Sequence, residues 1–442
     1  MESFINNPNL TLDIGHNIFH YLDEKSLKSC QLVNSSMKKI VNAPKFWLQK
    51  LDKKGLLDED LKKWRKLASL VENYPGQTEL IENVSKYLKT MYHWFSESWS
   101  LPLALPSVSP IFFASGQGGI GDARLIELII SENVDDLCIK NRFGQTPIDV
   151  AASHGHLEVV KVLMSALISS QAKVSEADNL GMTSIHYAAS WGYLEVLKLL
   201  IPNVNNLNIQ AQDGKTPIYY AAQNGYCEVV RILMTSTENP NTPDNDGITP
   251  LHVAASWGYV GIVDMLMSNT DNPNIPDNTG QTPLHQAAGW DQFAVVEKLM
   301  SIIDNPNIPD NIGQTPLHYA AGWGNFGTVD MLMSNIDNHN IPDNNGHTPI
   351  MLAASFGHVE VVEMLMSNND NPNIPDNIGQ TPLHYAAYHG YFGIVKMLII
   401  ANDNINVPDN FGRTPFTLAL NQKHFGIVAY FIFRKLFPCI FC

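Results

Sequence analysis

The sequence lacks the features of a membrane-spanning or secreted protein. No stretch reaches the roughly 20 apolar residues that cross a bilayer, and the nearest run, Ile427 to Phe433, is followed by Arg434 and Lys435. No basic segment precedes an apolar stretch near Met1, so we expect no secretory signal. Only five cysteines are scattered over 442 residues, as is typical of a reducing compartment. We therefore expect a soluble intracellular chain, cytoplasmic and with the nucleus as a second compartment.

Basic charge is scarce in most of the chain, although not at its start. Residues 1–100 contain 14 Lys or Arg and 12 Asp or Glu, whereas residues 101–442 contain 14 and 31. An acidic surface disfavours binding to a phosphate backbone, so we expect no nucleic-acid partner. The same charge favours protein partners that are apolar or basic.

Catalytic motifs are also missing. There is no nucleophile–base pair and no phosphate-binding loop, because the glycine-rich stretch GQGGIGD at 116–122 is not followed by Lys-Ser or Lys-Thr. Five histidines recur at one repeat position without a nearby acidic or cysteine ligand, which does not make a metal site; they are His186, His252, His285, His318 and His384. We predict a protein that is not an enzyme and has no cofactor or metal.

A repeated phrase of about nine residues organises the chain. It is GQTPLHYAA at 313–321 and again at 379–387, and close variants begin at Gly144, Gly181, Gly214, Gly247, Gly280, Gly346 and Gly412. From Gly181 to Gly412 the glycines are all 33 residues apart, whereas Gly144 and Gly181 are 37 apart. A fixed period of this length indicates a solenoid, and the Thr-Pro-Leu-His-x-Ala phrase resembles the ankyrin repeat.

The resemblance implies an all-α ankyrin-repeat solenoid over residues 105–438, with about ten repeats and short finger turns. Thr can cap the first helix of each repeat and Pro can occupy its first turn without loss of a hydrogen bond. A first, irregular repeat begins at Ser109-Pro110-Ile111, and the last one carries Phe416-Thr417 in place of Leu-His. Irregular terminal repeats are expected where a stack must be capped. The recurring His is implied to bond to the neighbouring turn.

Residues 8–52 predict three short amphipathic helices, too small a core for a stable domain alone. Their pattern resembles the F-box, which binds a Skp-type adaptor of cullin–RING ubiquitin ligases. The resemblance implies an adaptor-binding surface formed by Leu10, Ile14, Ile18, Phe19, Leu22 and Leu27. The alternative is a helical cap that shields the first repeat. Residues 53–104 are predicted to be a helical linker that ends in a proline-rich joint.

Large aromatic residues recur just before the glycine that separates the two helices of a repeat. Trp191, Trp257, Trp290, Trp323 and Phe356 occupy this position, which in similar proteins faces the partner. We predict that they bind the target, with neutral hydrogen-bonding groups beside them from Gln281, Gln314 and Gln380. The alternative is that the rings pack on one another as part of the fold.

The C-terminal residues 439–442, Cys-Ile-Phe-Cys, have the shape of a prenylation box, which makes Cys439 a candidate lipidation site. We expect contact with a membrane only if Cys439 is prenylated. The alternative is that the apolar residues before it pack the end of the last repeat.

Together these features predict a protein–protein interaction module. The favoured function is substrate receptor of an SCF-type cullin–RING ubiquitin ligase, in which the F-box binds the Skp-type adaptor and the ankyrin concave face binds an unknown target protein. The alternative is a non-enzymatic ankyrin scaffold or tethering protein with no link to ubiquitin.

Overall fold

The structure is a computed structural model that describes residues 44, 47–48, 51, 58–72, 78–97, 109–117, 120–174, 176–270, 272–367, 371–400 and 405–436. These residues form 22 α-helices and two short 3-10 helices, and none of them is in a strand. The chain divides into a first unit, residues 1–212, and a second unit, residues 213–442. The predicted all-α repeat architecture is confirmed.

The first unit contains two linker helices followed by three helix pairs. Its α-helices are α1 (Asp58–Glu72), α2 (Thr78–Glu97), α3 (Pro110–Gln117), α4 (Ile120–Glu132), α5 (Pro147–Ser153), α6 (Leu157–Ser169), α7 (Ser184–Ser190) and α8 (Leu194–Leu200). Its 3-10 helices are Val134–Leu137 and Ile201–Asn203. The predicted proline-rich joint lies outside the described residues.

The second unit contains seven helix pairs. They are α9 (Pro217–Gln223) with α10 (Cys227–Met234), α11 (Pro250–Ser256) with α12 (Val260–Met267), α13 (Pro283–Gly289) with α14 (Phe293–Met300), α15 (Pro316–Trp323) with α16 (Phe326–Ser334), α17 (Pro349–Phe356) with α18 (Val359–Ser367), α19 (Pro382–His389) with α20 (Phe392–Ile400), and α21 (Pro415–Asn421) with α22 (Phe425–Leu436). In each pair we call the first helix inner and the second helix outer.

The inner helices begin at the repeated Thr-Pro phrase because both residues suit a helix start. In α13, Thr282 is the N-cap and Pro283 follows in the first turn, where its missing N–H leaves no partner unsatisfied. Ala287 and Ala288 are fully buried. Their small side chains let neighbouring inner helices approach closely.

The outer helices supply most of the branched apolar core. Val295, Val296 and Leu299 of α14 are fully buried, and the equivalent residues of the other outer helices are buried as well. A core residue of this kind stabilises the fold by about 1.5–3 kcal/mol through burial. Each repeat has too few of them to fold alone, so its stability depends on its neighbours.

A left-handed residue turns the chain from the inner to the outer helix. Gly324 caps α15 with a φ of 77°, a conformation that glycine adopts without strain. Asp291 replaces the glycine after α13 with a φ of 55°, as its short polar side chain allows.

The linker helices pack onto the first repeat within the first unit. Trp64 of α1 is fully buried and contacts the ring edges of Tyr87 in α2 and Phe113 in α3, at centroid distances of 6.5 and 5.6 Å. The Tyr87 hydroxyl donates to Asp122 of α4. The linker and the first repeat therefore share one core.

Candidate protein-interaction surface

The finger turn that precedes most inner helices is fixed by an aspartate, which is buried in the turn before α15. Asp310 accepts hydrogen bonds at Oδ1 from the backbone N–H groups of Ile312 and Gln314, at 3.0 and 2.8 Å. Its Oδ2 accepts from the Tyr319 hydroxyl of α15 at 2.8 Å. Because one carboxylate satisfies three donors, the finger turn is held in a single conformation.

An asparagine in most finger turns joins neighbouring repeats. Asn311 Nδ2 donates to the backbone oxygen of Asn278 at 3.0 Å, and Asn344 Nδ2 donates to that of Asn311 at 3.1 Å. Equivalent hydrogen bonds, each between residues 33 apart, continue the series from Asn245 to Asn410. These bonds form a continuous ladder along the finger edge of the second unit.

The recurring histidines have the structural role expected of them. His285 Nε2 lies 3.0 Å from the backbone oxygen of Gln314 in the next repeat, and because a carbonyl only accepts, Nε2 carries the hydrogen. Nδ1 is then the acceptor for the N–H of Thr282 at 3.0 Å. Burial lowers the pKa of His285 to about 4, so the ring is neutral at physiological pH. No cluster that could hold a metal occurs among the described residues.

The three glutamines predicted to bind the target are bonded inside the second unit. Gln314 Nε2 donates to Asp343 at 3.3 Å, and Gln380 Nε2 donates to Asp409 at 3.1 Å. Gln281 Oε1 accepts from Gln286 of α13 at 2.7 Å. All three precede the N-terminus of an inner helix, whereas the tryptophans lie at its C-terminus, roughly 12 Å away along the axis of an eight-residue helix.

The predicted aromatic residues are exposed at the C-terminal ends of inner helices. Trp257 and Trp290 are C-caps of α11 and α13, and Trp323 and Phe356 end α15 and α17. Their exposed fractions range from 60 to 69%. Trp191 is similarly exposed but belongs to the first unit. None of these five rings pairs with another aromatic ring among the described residues, so ring-on-ring packing does not explain them.

Small residues lie next to the tryptophans on the inner helices. Gly289 and Gly322 precede Trp290 and Trp323, and both have ordinary helical backbone angles. A Cβ added at Gly289 would meet Tyr319 and Trp323 of the next repeat at no less than 3.5 Å. The fold therefore does not require glycine at these positions.

A column of polar side chains covers the turns between the inner and outer helices of the second unit. Asn325 Nδ2 donates to the backbone oxygen of Ala288 at 2.8 Å, and His358 Nε2 contacts the backbone oxygen of Gly322 at 2.9 Å. Each side chain lies over the turn of the preceding repeat, and a Cβ at Gly324 would be only 2.4 Å from His358 Nδ1. This column separates the tryptophans from a second apolar row.

The second apolar row lies at the start of the outer helices and was not predicted. It consists of Phe293, Phe326, Val359, Phe392 and Phe425, whose exposed fractions are 37% or more. Phe293 lies against the next repeat, since its ring is 3.6 Å from a Cβ added at Gly327. Alignment of the repeats would have revealed the row, because the equivalent residues in earlier repeats are Leu157, Leu194, Cys227 and Val260.

The finger tips also expose large apolar residues, which are not among the predicted binding residues. They are Phe143 and Leu180 in the first unit, and Ile312, Ile378 and Phe411 in the second. Each directly precedes a left-handed glycine of a finger turn. The equivalent tips of the other repeats in the second unit are polar, such as Asn345, so the apolar tips form a less continuous surface than the aromatic rows.

Two other predicted sites lie outside the described residues. They are the adaptor-binding set Leu10, Ile14, Ile18, Phe19, Leu22 and Leu27, and the candidate lipidation site Cys439. No helix among the described residues is long and apolar enough to cross a membrane.

Comparison with known families accounts for both parts of the chain. A family model described as ankyrin repeats (3 copies) matches residues 111–211, 199–277, 262–343, 332–409 and 371–436. A model of the F-box domain matches residues 8–49. A search of curated protein sequences gives no match. Since the matches to the repeat model extend over most of the chain, it belongs to the ankyrin-repeat family and carries an F-box domain before the repeats.

Proposed function

We propose that this protein-interaction module is a substrate receptor of an SCF-type cullin–RING ubiquitin ligase. The F-box would bind a Skp-type adaptor through Leu10, Ile14, Ile18, Phe19, Leu22 and Leu27. The repeats would hold the target through Trp191, Trp257, Trp290, Trp323 and Phe356. The observation that carries the proposal is the F-box match at residues 8–49 in the same chain as repeats with exposed aromatic rings. The transfer of ubiquitin belongs to other subunits, and this chain supplies proximity and orientation.

Packing within the first unit supports this proposal. Trp47 and Leu48, near the end of the F-box match, are buried, and Lys89 of α2 lies 5.8 Å from the centroid of the Trp47 ring. Neighbouring Tyr87 bonds to Asp122 in the first repeat. The end of the F-box match is thus packed on a helix that also packs on the first repeat.

The exposed aromatic residues support a target-binding role for the repeats. Four such residues at equivalent positions of consecutive repeats, Trp257 to Phe356, form a row that we call the tryptophan row. Exposed aromatic residues are costly to solubility unless they are used, and they are enriched where proteins bind tightly. Gln281, Gln314 and Gln380 would act indirectly, because their amides already bond within the stack.

Affinity purification of the intact chain, with and without residues 10–51, tests the adaptor link. We expect adaptor and cullin to co-purify with the intact chain and to be absent from the deletion. The matched control is Leu10→Ala with Ile14→Ala in the full chain, which should have the same effect without removing the segment. A chain that binds other proteins but never the adaptor is a tethering protein, and the ligase proposal is then wrong.

Replacement of Trp257, Trp290 and Trp323 by Ala tests the target surface. We expect the proteins retained by the repeats to be lost while adaptor binding and the circular dichroism spectrum are unchanged. The control replaces Ile312 and Ile378, exposed residues of the finger tips. If the target stays bound to the triple tryptophan variant, the row is not the binding surface.

A further inference from the structure

The outer helices of the second unit carry a row of carboxylates beside the second apolar row. Phe293, Phe326 and Val359 are each followed four residues later by an acidic residue, namely Glu297, Asp330 and Glu363. Residues four apart lie on the same face of a helix, about 5–6 Å apart. Every member of this set of six is exposed, so an apolar strip and an acidic strip run side by side across α14, α16 and α18.

None of the three carboxylates has an ion-pair partner among the described residues. The row of unpaired carboxylates ends on both sides. On one side Asp264, the equivalent residue of α12, is paired with Lys298 at 3.0 Å, and on the other side the equivalent residue of α20 is Lys396. The unpaired negative charge is therefore confined to three consecutive repeats.

Earlier repeats have a different surface at the same place. Their outer helices carry Glu158, Glu195 and Glu228, each paired within its own helix to a basic residue, at 2.7, 2.6 and 3.4 Å. In α14 and α16 this glutamate is replaced by Ala294 and Gly327. The internal pair is lost in α14, α16 and α18, and the phenylalanine occurs in α14 and α16 but in none of these earlier helices, so the period of the fold does not require either feature.

We propose that Phe293, Phe326 and Val359, with Glu297, Asp330 and Glu363, form a docking surface for a basic amphipathic α-helix of the target protein. Neighbouring helices of a stack are about 8–10 Å apart, and two turns of an α-helix rise about 10.5 Å. A helix lying along the stack therefore meets successive carboxylates with a basic residue at every seventh position. Its apolar face covers the phenylalanine rings.

Charge complementarity favours this occupant over two others. A membrane surface with anionic lipids would be repelled by the carboxylates, and a second copy of this face would place acidic rows against each other. The proposal deepens the target-binding role proposed above and is independent of adaptor binding.

The test uses the full-length chain and synthetic helical peptides of about 21 residues with a leucine face. One peptide carries Lys at every seventh position beside that face, its isomer carries the same lysines at every fourth, and a third has Glu in place of Lys. Fluorescence anisotropy measures binding at low and high salt. We expect saturable binding of the first peptide, weakened by salt, and binding of the other two that is weaker by about ten-fold or more.

Two sets of variants identify the surface. Replacement of Glu297 and Glu363 by Gln with Asp330→Asn should weaken binding about ten-fold, the combined effect of three exposed ion pairs. Phe293→Gln with Phe326→Gln should weaken it by at least about ten-fold. The matched control replaces Glu158, Glu195 and Glu228 by Gln, which removes the same charge elsewhere and should change binding less than two-fold. Thermal unfolding of each variant checks that the fold is kept.

Several results would overturn the proposal. They are the absence of saturable binding, equal binding of the two lysine isomers, or an equal effect of the control triple. Binding to vesicles with anionic lipids, or dimerisation in sedimentation, that is lost in the phenylalanine variant would assign the surface to a membrane or to a second copy instead. Since the peptides contain neither adaptor nor natural target, such a failure leaves the purification tests of the proposed function unaffected.

Discussion

Asp149 makes the stability of the repeat stack depend on pH, and this dependence can be measured. It occupies the position where most later repeats have the buried histidine. Its Oδ2 accepts from the N–H and hydroxyl of Thr146 at 2.8 and 2.7 Å, but its buried Oδ1 has no partner. Burial, with a smaller contribution from Asp178, raises the pKa of Asp149 from 3.8 to about 7 against the opposing effects of Thr146 and Lys140.

The sign follows from which state holds the proton. Because the carboxyl binds its proton more tightly in the folded protein, stability is highest at low pH and falls as the pH rises from about 4 to about 7. With pKa values of 3.8 unfolded and about 7 folded, the free energy of unfolding should fall by about 2–3 kcal/mol between pH 5 and pH 8. Asn has the shape of Asp but does not titrate, so Asp149→Asn should remove this fall in the free energy of unfolding.

The assay compares urea unfolding of the wild type and Asp149→Asn at pH 5 and pH 8, followed by circular dichroism. We expect the variant to gain stability relative to the wild type on going to pH 8. Asp330→Asn, which removes an exposed carboxylate, is the control and should change stability alike at both pH values. If the difference between Asp149→Asn and wild type is the same at pH 5 and pH 8, Asp149 does not titrate in this range and the argument from burial is refuted.

Three further predictions concern single residues of the second unit. Gly324→Ala should lower the free energy of unfolding by about 2 kcal/mol or more, because the φ of Gly324 is 77° and the added Cβ would meet His358. Gly322→Ala, two residues away, should raise the free energy of unfolding by up to ~1 kcal/mol. Equal shifts of the thermal unfolding midpoint in the two variants would contradict this. As the pH falls from 6.5 to 4, the unfolded chain takes up a proton that buried His285, whose pKa is lowered to about 4, does not, which should cost about 3 kcal/mol of stability; this loss should be seen as lower hydrogen-exchange protection factors in α13 and be absent in His285→Gln. Trp290→Ala should cost less than ~1 kcal/mol in chemical denaturation; a loss typical of a core residue, about 3 kcal/mol or more, would mean that the ring is part of the fold.

The architecture could be predicted because the local signals agree with one another. Thr282 and Pro283 start an inner helix, Ala287 and Ala288 let it pack closely, and Gly324 shows how the chain turns to the next helix. Each of these residues acts within a few positions of itself, so the sequence alone contains the information. The role of the histidines was predictable only through the family resemblance, since the carbonyl oxygen that accepts from the His285 ring lies 29 residues further along the chain.

The surface was predictable only in part. The tryptophan row could be found because the fold gives Trp290 no local role. The second apolar row is not predicted because Phe293 resembles a core residue when its helix is considered alone. Its exposure depends on the next repeat, where Gly327 lies against the ring and has no side chain to cover it. The sequence predicts Gln314 and Gln380 to lie on the target surface because it does not show that Asp343 and Asp409 of the following repeats accept their hydrogen bonds.

The asparagine ladder has a consequence for how such a protein can change over generations. Asn278, Asn311 and Asn344 each give one side-chain bond backward and receive one forward, at the same atoms and with the same 33-residue offset. A genetic event that duplicates or deletes one 33-residue segment therefore places an asparagine donor next to a backbone acceptor again, and no hydrogen-bonding group is left without a partner at the junction. The length of the array can vary by recombination at little cost to folding, while the surface for a partner lengthens or shortens by one repeat at a time.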